Sequence, residues 1–488
     1  MLQRVLIANR GEIACRILRT LRTQGIASVA VYHHEDRGAP HVQLADQAVL
    51  LEAEAPAAAY LDQVQLLDCA QRTGADAIHP GYGFLSENAS FAQRVADAGL
   101  TFIGPDAAVI RLMGDKIRAR TFAVTHGVPV APSIIETDLE RFAQQADSIG
   151  FPLLVKAAAG GGGKGMRIVR TAAELPENLR AAAAEALRYF GDGRVYAERY
   201  IEQPRHIEVQ VLGDGEGNVV HLFERECSLQ RRYQKIVEES PAPNLSAELR
   251  AVICAAAVRL AAAACYRNAG TVEFVLAPDG RFYFLEMKTR LQVEHPVTEC
   301  VLNVDQVAEQ LRIASGMGLS FSQRDLVPRG HAIECRICAE EPEHDFRPAT
   351  GRIGLLEVPR GANIRFDGGV CAGQTVTPAF DSMLAKLVAY GPTRTEAAAA
   401  LAGALDELVL LGVPTNIDYL ARVLRHPQFL SGHLHTGFLL QHATELGAPY
   451  APQESTAAGL AALLADPDFH RAAFGAPEPH ATIGPWRN

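Results

Sequence analysis

Glu273 and Glu286 flank the turn Pro278-Asp279-Gly280 and sit among β-branched and aromatic residues. Thr271–Leu276 and Arg281–Leu285 read as two strands joined by that turn. If Pro278 faces Arg281, Glu273 falls directly opposite Glu286. Two carboxylates facing across a ladder repel, and a hard divalent cation held by both would explain them. Two solvated surface glutamates are the bland alternative. The aromatic strands around the pair, and the Arg, Gln and Glu that follow it, argue against that. If the second strand continues, Glu286, Lys288, Arg290, Gln292 and Glu294 share one of its faces.

The second chemical signal is phosphate binding. Ala159-Gly160-Gly161-Gly162-Gly163-Lys164-Gly165 holds five glycines among seven residues, so its N–H groups can close around phosphate oxygens. It joins FPLLVKA, which contains Lys156, to MRIVR. Both read as strands, so this is not a GxxxxGKS loop, which opens a helix. A flexible linker would also be glycine-rich, but it would not join two apolar strands so tightly. Only six of the 46 basic residues are lysine: Lys116, Lys156, Lys164, Lys235, Lys288 and Lys386. Where arginine serves as the generic cation, a retained lysine marks a need for a compact ammonium, with chance survival as the alternative.

These side chains need elements to hold them. Over residues 4–113, RVLIA, ASVAVY, AVLL, ADAIHP and TFIG read as strands. GEIACRILRTLR, YLDQVQLLDCAQRT and FAQRVADAG read as helices between them. This alternation predicts βαβ units and a parallel sheet covered on both faces. The turns Asn9-Arg10-Gly11-Glu12 and His79-Pro80-Gly81-Tyr82-Gly83-Phe84 follow strands, where open sheets present ligand sites. Plain turn chemistry is the alternative, and the missing GxGxxG argues against a dinucleotide. His33, His34 and His41 read as loop histidines. Lys116 falls in a helix beginning near Gly114. RVYAERYI, RHIEVQVLGD and NVVHLFERECS read as strands, with Glu198 and Ile201 ending the first and His206 and Glu208 alternating on the second. The third runs into Cys227–Lys235, a basic segment without apolar alternation, and a helix over SAELRAVICAAAVRLAAAACY leads to the hairpin.

Composition bounds the function. The 488 residues allow roughly three domains of about 150 each. A net charge of -10 gives no pull toward nucleic acid or an anionic membrane. No apolar run reaches the ~20 residues of a membrane span, and MLQRVLIANRGE lacks a signal peptide's layout. Nine cysteines scattered in apolar segments point to a reducing cytoplasm. Cys335 and Cys338 form a lone CxxC, read as structural because no second pair accompanies it.

The pieces NRGEIACRI, HPGYGFLSEN, KAAAGGGGKGM, RHIEVQVL, ERECSLQRRYQK and FLEMKTRLQVEHPVTE, in that order, resemble the biotin carboxylase component of biotin-dependent carboxylases, which are ATP-grasp enzymes. The resemblance covers residues 1–446, with GHAIECRICAE, FDSMLAKLV and GVPTNIDYL in its last part. It implies a mixed α/β and α+β architecture. Residues 1–113 would form a Rossmann-like domain and 114–329 an ATP-grasp domain whose small lid spans about 130–205. Residues 330–446 would form the C-terminal biotin carboxylase domain and 447–488 a linker into a further domain. The implied reaction joins bicarbonate to biotin with ATP hydrolysis, through carboxyphosphate.

The resemblance also implies roles. Lys116, Lys156 and the loop Gly160, Gly161, Gly162, Gly163, Lys164 and Gly165 would hold the ATP phosphates. Glu198, Ile201, His206 and Gln230 match positions that hold adenine and ribose, with Tyr233 where the family often has His. Lys235 would meet bicarbonate or the transferring phosphoryl group. Glu294 would be the general base toward bicarbonate, with Arg290, Gln292 and the Val293 backbone around the anion. Arg290 would also steady charge on the biotin ureido oxygen, and Arg336 would contact biotin or bicarbonate. Glu273 and Glu286 would carry Mg²⁺ or Mn²⁺.

Lys288 departs from the pattern. The family reads Glu-Met-Asn-Thr-Arg where this chain reads Glu286-Met287-Lys288-Thr289-Arg290. An asparagine oxygen can ligate a second metal; an ammonium has no acceptor. At ~4 Å and an effective dielectric of ~20, a like-charge encounter costs roughly 4 kcal/mol per unit charge pair, and more for a divalent ion. Lys288 is therefore expected to weaken or replace the second metal and slow phosphoryl transfer, unless it swings toward a neighbouring acid.

HPQFLSGHLHTGFLLQH is similar to the α-subunits of methylcrotonyl-CoA and geranyl-CoA carboxylases. Nothing resembles the Met-Lys-Met of a biotin carrier, so biotin is expected to arrive free or on another chain. The implied partners are a biotin carrier domain or protein, a carboxyltransferase β-subunit and further copies in a dimer or larger assembly. Three other readings stay open. One is an ATP-grasp ligase that joins an acid to an amine. Another is a different carboxylase of the class, acting on urea or pyruvate. The third is a metal-impaired, non-catalytic or weakly active assembly subunit that Lys288 would explain.

Overall fold

The computed structural model describes residues 2–136, 139–159 and 166–447, with positions 459–461, 464 and 469 beyond them. The glycine loop Gly160–Gly165, with Lys164, lies outside the described residues, as does nearly all of the expected linker over 447–488.

The first sheet is parallel. Its strands are β1 (Arg4–Ile7), β2 (Ala27–Tyr32), β3 (Gln47–Leu50), β4 (Ala77–His79) and β5 (Thr101–Phe102), in the order β3-β2-β1-β4-β5. Consecutive residues Val5, Leu6 and Ile7, and Val29, Ala30 and Val31, are all buried, the signature of strands covered on both faces. The loops after β1 and β4 form one unit, because Asn9 Nδ2 donates to Pro80 O and Tyr82 O, both at 2.7 Å. Gly81, at φ +61°, leaves room for that amide; a Cβ there would come within 2.9 Å of Asn9 Nδ2.

A small four-stranded sheet stands apart with its own core. It contains β6 (Ser133–Ile134), β7 (Leu153–Ala157), β8 (Arg167–Val169) and β9 (Val195–Arg199), in the order β6-β9-β7-β8. Ile134, Leu153, Val155, Val169 and Ala197 pack beneath its helices. Lys156 comes from β7 and Glu198 from β9.

The largest sheet builds the site. β10 (Arg205–Asp214), β11 (Val219–Arg231), β12 (Gln234–Ser240), β13 (Arg267–Leu276), β14 (Phe282–Lys288) and β15 (His331–Cys338) join Met383–Gly391 and Ile364–Gly368. The order is β14-β13-β10-β11-β12-β15, then those two strands, so one ladder crosses the expected boundary at 329/330. The alternation in RHIEVQVLGD explains its two faces. Ile207, Val209 and Val211 pack with Ile253, Ala257 and Leu260 of the helix Ala247–Ala263. His206, Glu208 and Gln210 turn the other way, yet all three are buried. A buried polar face must satisfy its own charges, and this one does so around the cleft described below.

Three expectations need correction. β14 ends at Lys288, so Arg290, Gln292 and Glu294 do not extend its face; residues 289–294 form an irregular segment that ends at Glu294, the cap of the helix His295–Leu302. Glu273 does pair with Glu286, but Phe274 then pairs with Phe284 and Leu276 with Phe282, so Leu285 is a bulge and the Pro278–Arg281 pairing does not form. Cys227–Lys235 is not an irregular basic segment but a hairpin. β11 runs to Arg231, and Arg232 and Tyr233 turn with left-handed φ of 49° and 67°. β12 then begins opposite, with Arg231 paired to Gln234.

Candidate functional site

A cleft of about 790 Å³ lies where the β1 and β4 loops, the small sheet and the polar face of the large sheet meet. Of the expected site residues, it is lined by Lys116, Lys156, Glu198, Ile201, His206, Gln230, Tyr233, Lys235, Glu273, Glu286, Lys288, Arg290, Gln292, Val293, Glu294 and Arg336. The sequence therefore singled out residues that the fold gathers into one place.

At one wall β13 and β14 set Glu273 against Glu286. Lys288 Nζ donates to Glu286 Oε1 at 2.9 Å, and Lys116 Nζ stands 3.9 Å from Glu286 Oε2. Asp115 fixes the start of the Lys116 helix by accepting from the N–H groups of Ile117 and Arg118, each at 3.0 Å. Glu273 Oε1 accepts from Lys235 Nζ at 3.0 Å and from Gln292 Nε2 at 2.8 Å. His206 Nε2 lies 3.3 Å from Glu273 Oε2, without the alignment of a hydrogen bond. Burial alone would raise both acids. Lys235 and then His206 outweigh it at Glu273, and Lys288 does so at Glu286, so both carboxyls lie below their ordinary range.

Deeper in, Lys235 joins three acids. Its ammonium donates to Glu208, to Glu273 and, at 2.6 Å, to Glu294. Burial lowers its pKa, but these acids, Glu208 foremost, hold it well above its ordinary value. Glu294 is fully buried, and its other oxygen accepts from Arg336 Nη2 at 3.1 Å. Burial pushes Glu294 up, yet Lys235, Arg336 and Arg225 together keep it well below the ordinary carboxylate range. It is therefore ionised at neutral pH, aimed into a cleft walled by cations.

On the outer side, Arg290 Nη1 donates to Gln292 Oε1 at 3.0 Å. Lys156 pairs with Glu198 on the small sheet. Gln230 Nε2 bonds Cys227 O at 2.8 Å and lies 3.0 Å from His206 Nδ1. Tyr233 sits at the hairpin turn, 55% exposed. Cys335 and Cys338 are buried free thiols, pushed up in pKa by burial.

Several supports were not anticipated. Glu87 holds the 289–290 segment, accepting from Arg290 Nε at 2.9 Å and Thr289 N at 3.2 Å. Lys386, fully buried, donates to Val293 O at 2.8 Å and reaches Glu12 at 3.2 Å. Arg225 lies under Glu208, and Glu238 holds Arg336 from behind. The one signal for Lys386 was the scarcity of lysine. Four of the six lysines line the cleft and Lys386 braces it.

Comparison with known proteins decides the family. Residues 1–110 match the biotin carboxylase N-terminal domain, 115–322 the ATP binding domain of the carbamoyl-phosphate synthase L chain, and 334–441 the biotin carboxylase C-terminal domain. The chain belongs to the biotin carboxylase family. It is 49% identical to a biotin carboxylase of Nostoc over 439 residues, 89% of this chain and 98% of that one. It is 46% identical over 462 residues to the mitochondrial methylcrotonoyl-CoA carboxylase subunit alpha of Dictyostelium discoideum, 94% of this chain and 66% of that subunit. Among solved structures, it is similar to the biotin carboxylase domain dimer of Hydrogenobacter thermophilus 2-oxoglutarate carboxylase with MgADP, ADP and bicarbonate. There the TM-score is 0.90 and the identity 44%, over 92% of this chain and all of that one. A Campylobacter jejuni biotin carboxylase complex matches with a TM-score of 0.88 and 41% identity, over 91% and 99% of the two chains. The biotin carboxylase family accounts for the mixed architecture with its ATP-grasp centre, and no helix among the described residues is long and apolar enough to cross a membrane.

Proposed function

We propose that this chain is an ATP-dependent biotin carboxylase, and that the cleft carries out both halves of its reaction. Bicarbonate attacks the terminal phosphoryl group of ATP to give carboxyphosphate and ADP; the carboxyl group then passes to biotin and phosphate leaves. The observation that carries this reading is Glu294. An ionised carboxylate, sealed from water between Lys235 and Arg336, is placed to accept the proton of bicarbonate. Lys235 and Arg336 hold the anion it acts on and offset the charge that develops. Arg290, kept in place by Glu87 and Gln292, faces the same anion from outside. Lys116 and Lys156 supply compact charge for the phosphates, and His206, Gln230, Glu198, Ile201 and Tyr233 border the adenosine end.

The residues fit one divalent ion. Glu273 Oε2 and Glu286 Oε2 stand 3.3 Å and 3.9 Å from His206 and Lys116, so each keeps acceptor capacity for a hard cation. Mg²⁺ or Mn²⁺ held there would neutralise phosphate charge. The neighbouring Lys288 offers no ligand atom.

Among acceptors, an acyl-CoA is favoured by the 46% identity to a methylcrotonoyl-CoA carboxylase subunit alpha, with a biotin carrier and a carboxyltransferase β-subunit as partners, a dimer or larger assembly, and a cytoplasmic setting. The Lys288–Glu286 pair supports one competing reading, a weakly active or non-catalytic ATP-binding subunit. Bicarbonate-dependent ATP hydrolysis, with and without free biotin, separates the two. Strong stimulation by biotin supports the carboxylase; nucleotide binding without turnover supports the other.

A further inference from the structure

The acidic pair at the nucleotide end already carries a cation supplied by the chain. Lys288 is the last residue of β14 and pairs with Thr271, two positions along from the Glu273–Glu286 rung and on the same face. Its ammonium bonds Glu286 Oε1 at 2.9 Å, and the two side chains are only 19% and 21% exposed. The pair therefore belongs to the cleft wall and is not a solvated surface contact.

The oxygens left for an added ion can be counted. Glu273 Oε1 is taken by Lys235 and Gln292, and Glu286 Oε1 by Lys288. One oxygen of each acid remains, which together can clasp one ion. A second ion would need either Glu286 Oε1 or a neutral oxygen donor at position 288. An ammonium provides neither, and its charge repels a divalent ion. Nor has Lys288 another acid to turn to nearby. Glu87, the other carboxylate whose charge acts on it, is engaged by Arg290 and by the N–H of Thr289. With three donors, the ammonium can keep Glu286 and hold a phosphate oxygen at the same time.

Resting on the reading of this cleft as an ATP site, we propose that Lys288 is a permanent cation of that site, standing on Glu286 in place of a second divalent ion, so that the chain takes one divalent ion per nucleotide. The consequence is a nucleotide site whose charge balance is partly built in. Its dependence on free divalent ion then follows one binding step instead of two.

The test counts ions without turnover. The intact chain is titrated with Mn²⁺ in the presence of a saturating non-hydrolysable ATP analogue, with free Mn²⁺ followed by electron paramagnetic resonance and nucleotide binding by calorimetry. The expected result is one Mn²⁺ per bound nucleotide in the natural chain and two in Lys288→Asn, which restores an amide oxygen. Two ions in the natural chain, or one in both proteins, overturns the proposal while leaving the ATP reading intact. Failure of the nucleotide itself to bind overturns both. The natural chain's count is decisive by itself if the variant does not fold.

Discussion

Glu238 lies directly opposite Glu334 in the register of β12 and β15, and both are fully buried. Glu238 accepts from Arg336, but its second oxygen and both oxygens of Glu334 have no hydrogen-bond partner. Burial is the main cause raising both. It exceeds the relief from Arg336 at Glu238, which is pushed up to about 7, and the relief from Lys386 at Glu334, which stays well above its ordinary range. Glu334 is thus neutral at working pH, and Glu238 titrates within it. As pH falls through about 7, Glu238 gains a proton and Arg336 loses its charged partner beside Glu294. Biotin-stimulated ATP hydrolysis should fall on that acid limb. Glu334→Gln should leave the limb in place, whereas Glu238→Gln should abolish it and raise the biotin KM by roughly tenfold, the loss of one charge-assisted hydrogen bond. The sign for stability is opposite. A carboxyl raised on folding contributes stability below its unfolded pKa and loses it as pH rises through the folded value. Glu334→Gln should therefore raise the melting temperature at pH 8 more than at pH 5.

Glu294→Gln keeps the shape of the side chain and removes its basicity. Bicarbonate-dependent ATP hydrolysis should drop by roughly 10²–10⁴, the usual worth of a positioned base. ATP affinity should change by less than about threefold, since Glu294 contacts Lys235 and Arg336 and not the phosphate lysines. A drop confined to ATP affinity would assign Glu294 a merely electrostatic role.

How much of this was legible depends on whether neighbours in sequence or in space decide the matter. The alternation of His206, Glu208 and Gln210 with Ile207, Val209 and Val211 predicts β10 and its polar face without help. Pro278-Asp279-Gly280 places the hairpin and the Glu273–Glu286 pair, but no residue type announces the bulge at Leu285, so the outer register slips. The hairpin of β11 and β12 escapes because its turn uses Arg232 and Tyr233 in a left-handed conformation, which glycine or asparagine would have signalled. Glu87 and Arg290, 203 positions apart, can be joined only by the fold. The role of Glu294 came from family resemblance, because no spacing rule sets Lys235 and Arg336 on its two oxygens.

Glu87→Gln tests whether that long-range contact positions Arg290. The amide can still accept from the Thr289 N–H, so the segment should keep its path, while Arg290 loses an ionised partner at 2.9 Å. We expect kcat/KM for bicarbonate to fall roughly tenfold to a hundredfold, in line with 1.5–3 kcal/mol or so for a charged hydrogen bond. The melting temperature should move little. Equal losses in Glu87→Gln and in the double variant with Arg290→Ala would show that Glu87 acts through Arg290.

Arg225 is the support whose removal should cost most stability. It is fully buried, and its guanidinium donates to Glu208 Oε1 at 2.6 Å, Gln210 Oε1 at 2.8 Å, Thr298 Oγ1 at 3.0 Å and Thr271 Oγ1 at 3.2 Å. It thereby ties β10, β11 and β13 to the helix that starts at Glu294. Arg225→Met leaves Glu208 buried with Lys235 as its remaining cation, and breaking a buried ion pair from one side costs roughly 3–5 kcal/mol. Denaturant unfolding should show a loss of that order. Activity should fall as well, because Lys235, no longer sharing Glu208 with Arg225, is drawn toward that acid and away from Glu294. Arg225→Lys should rescue little of either, since one ammonium cannot reproduce a fork that spans four acceptors. Wild-type stability and rate in Arg225→Met would mean that the polar layer under the cleft does not hold Lys235 in place.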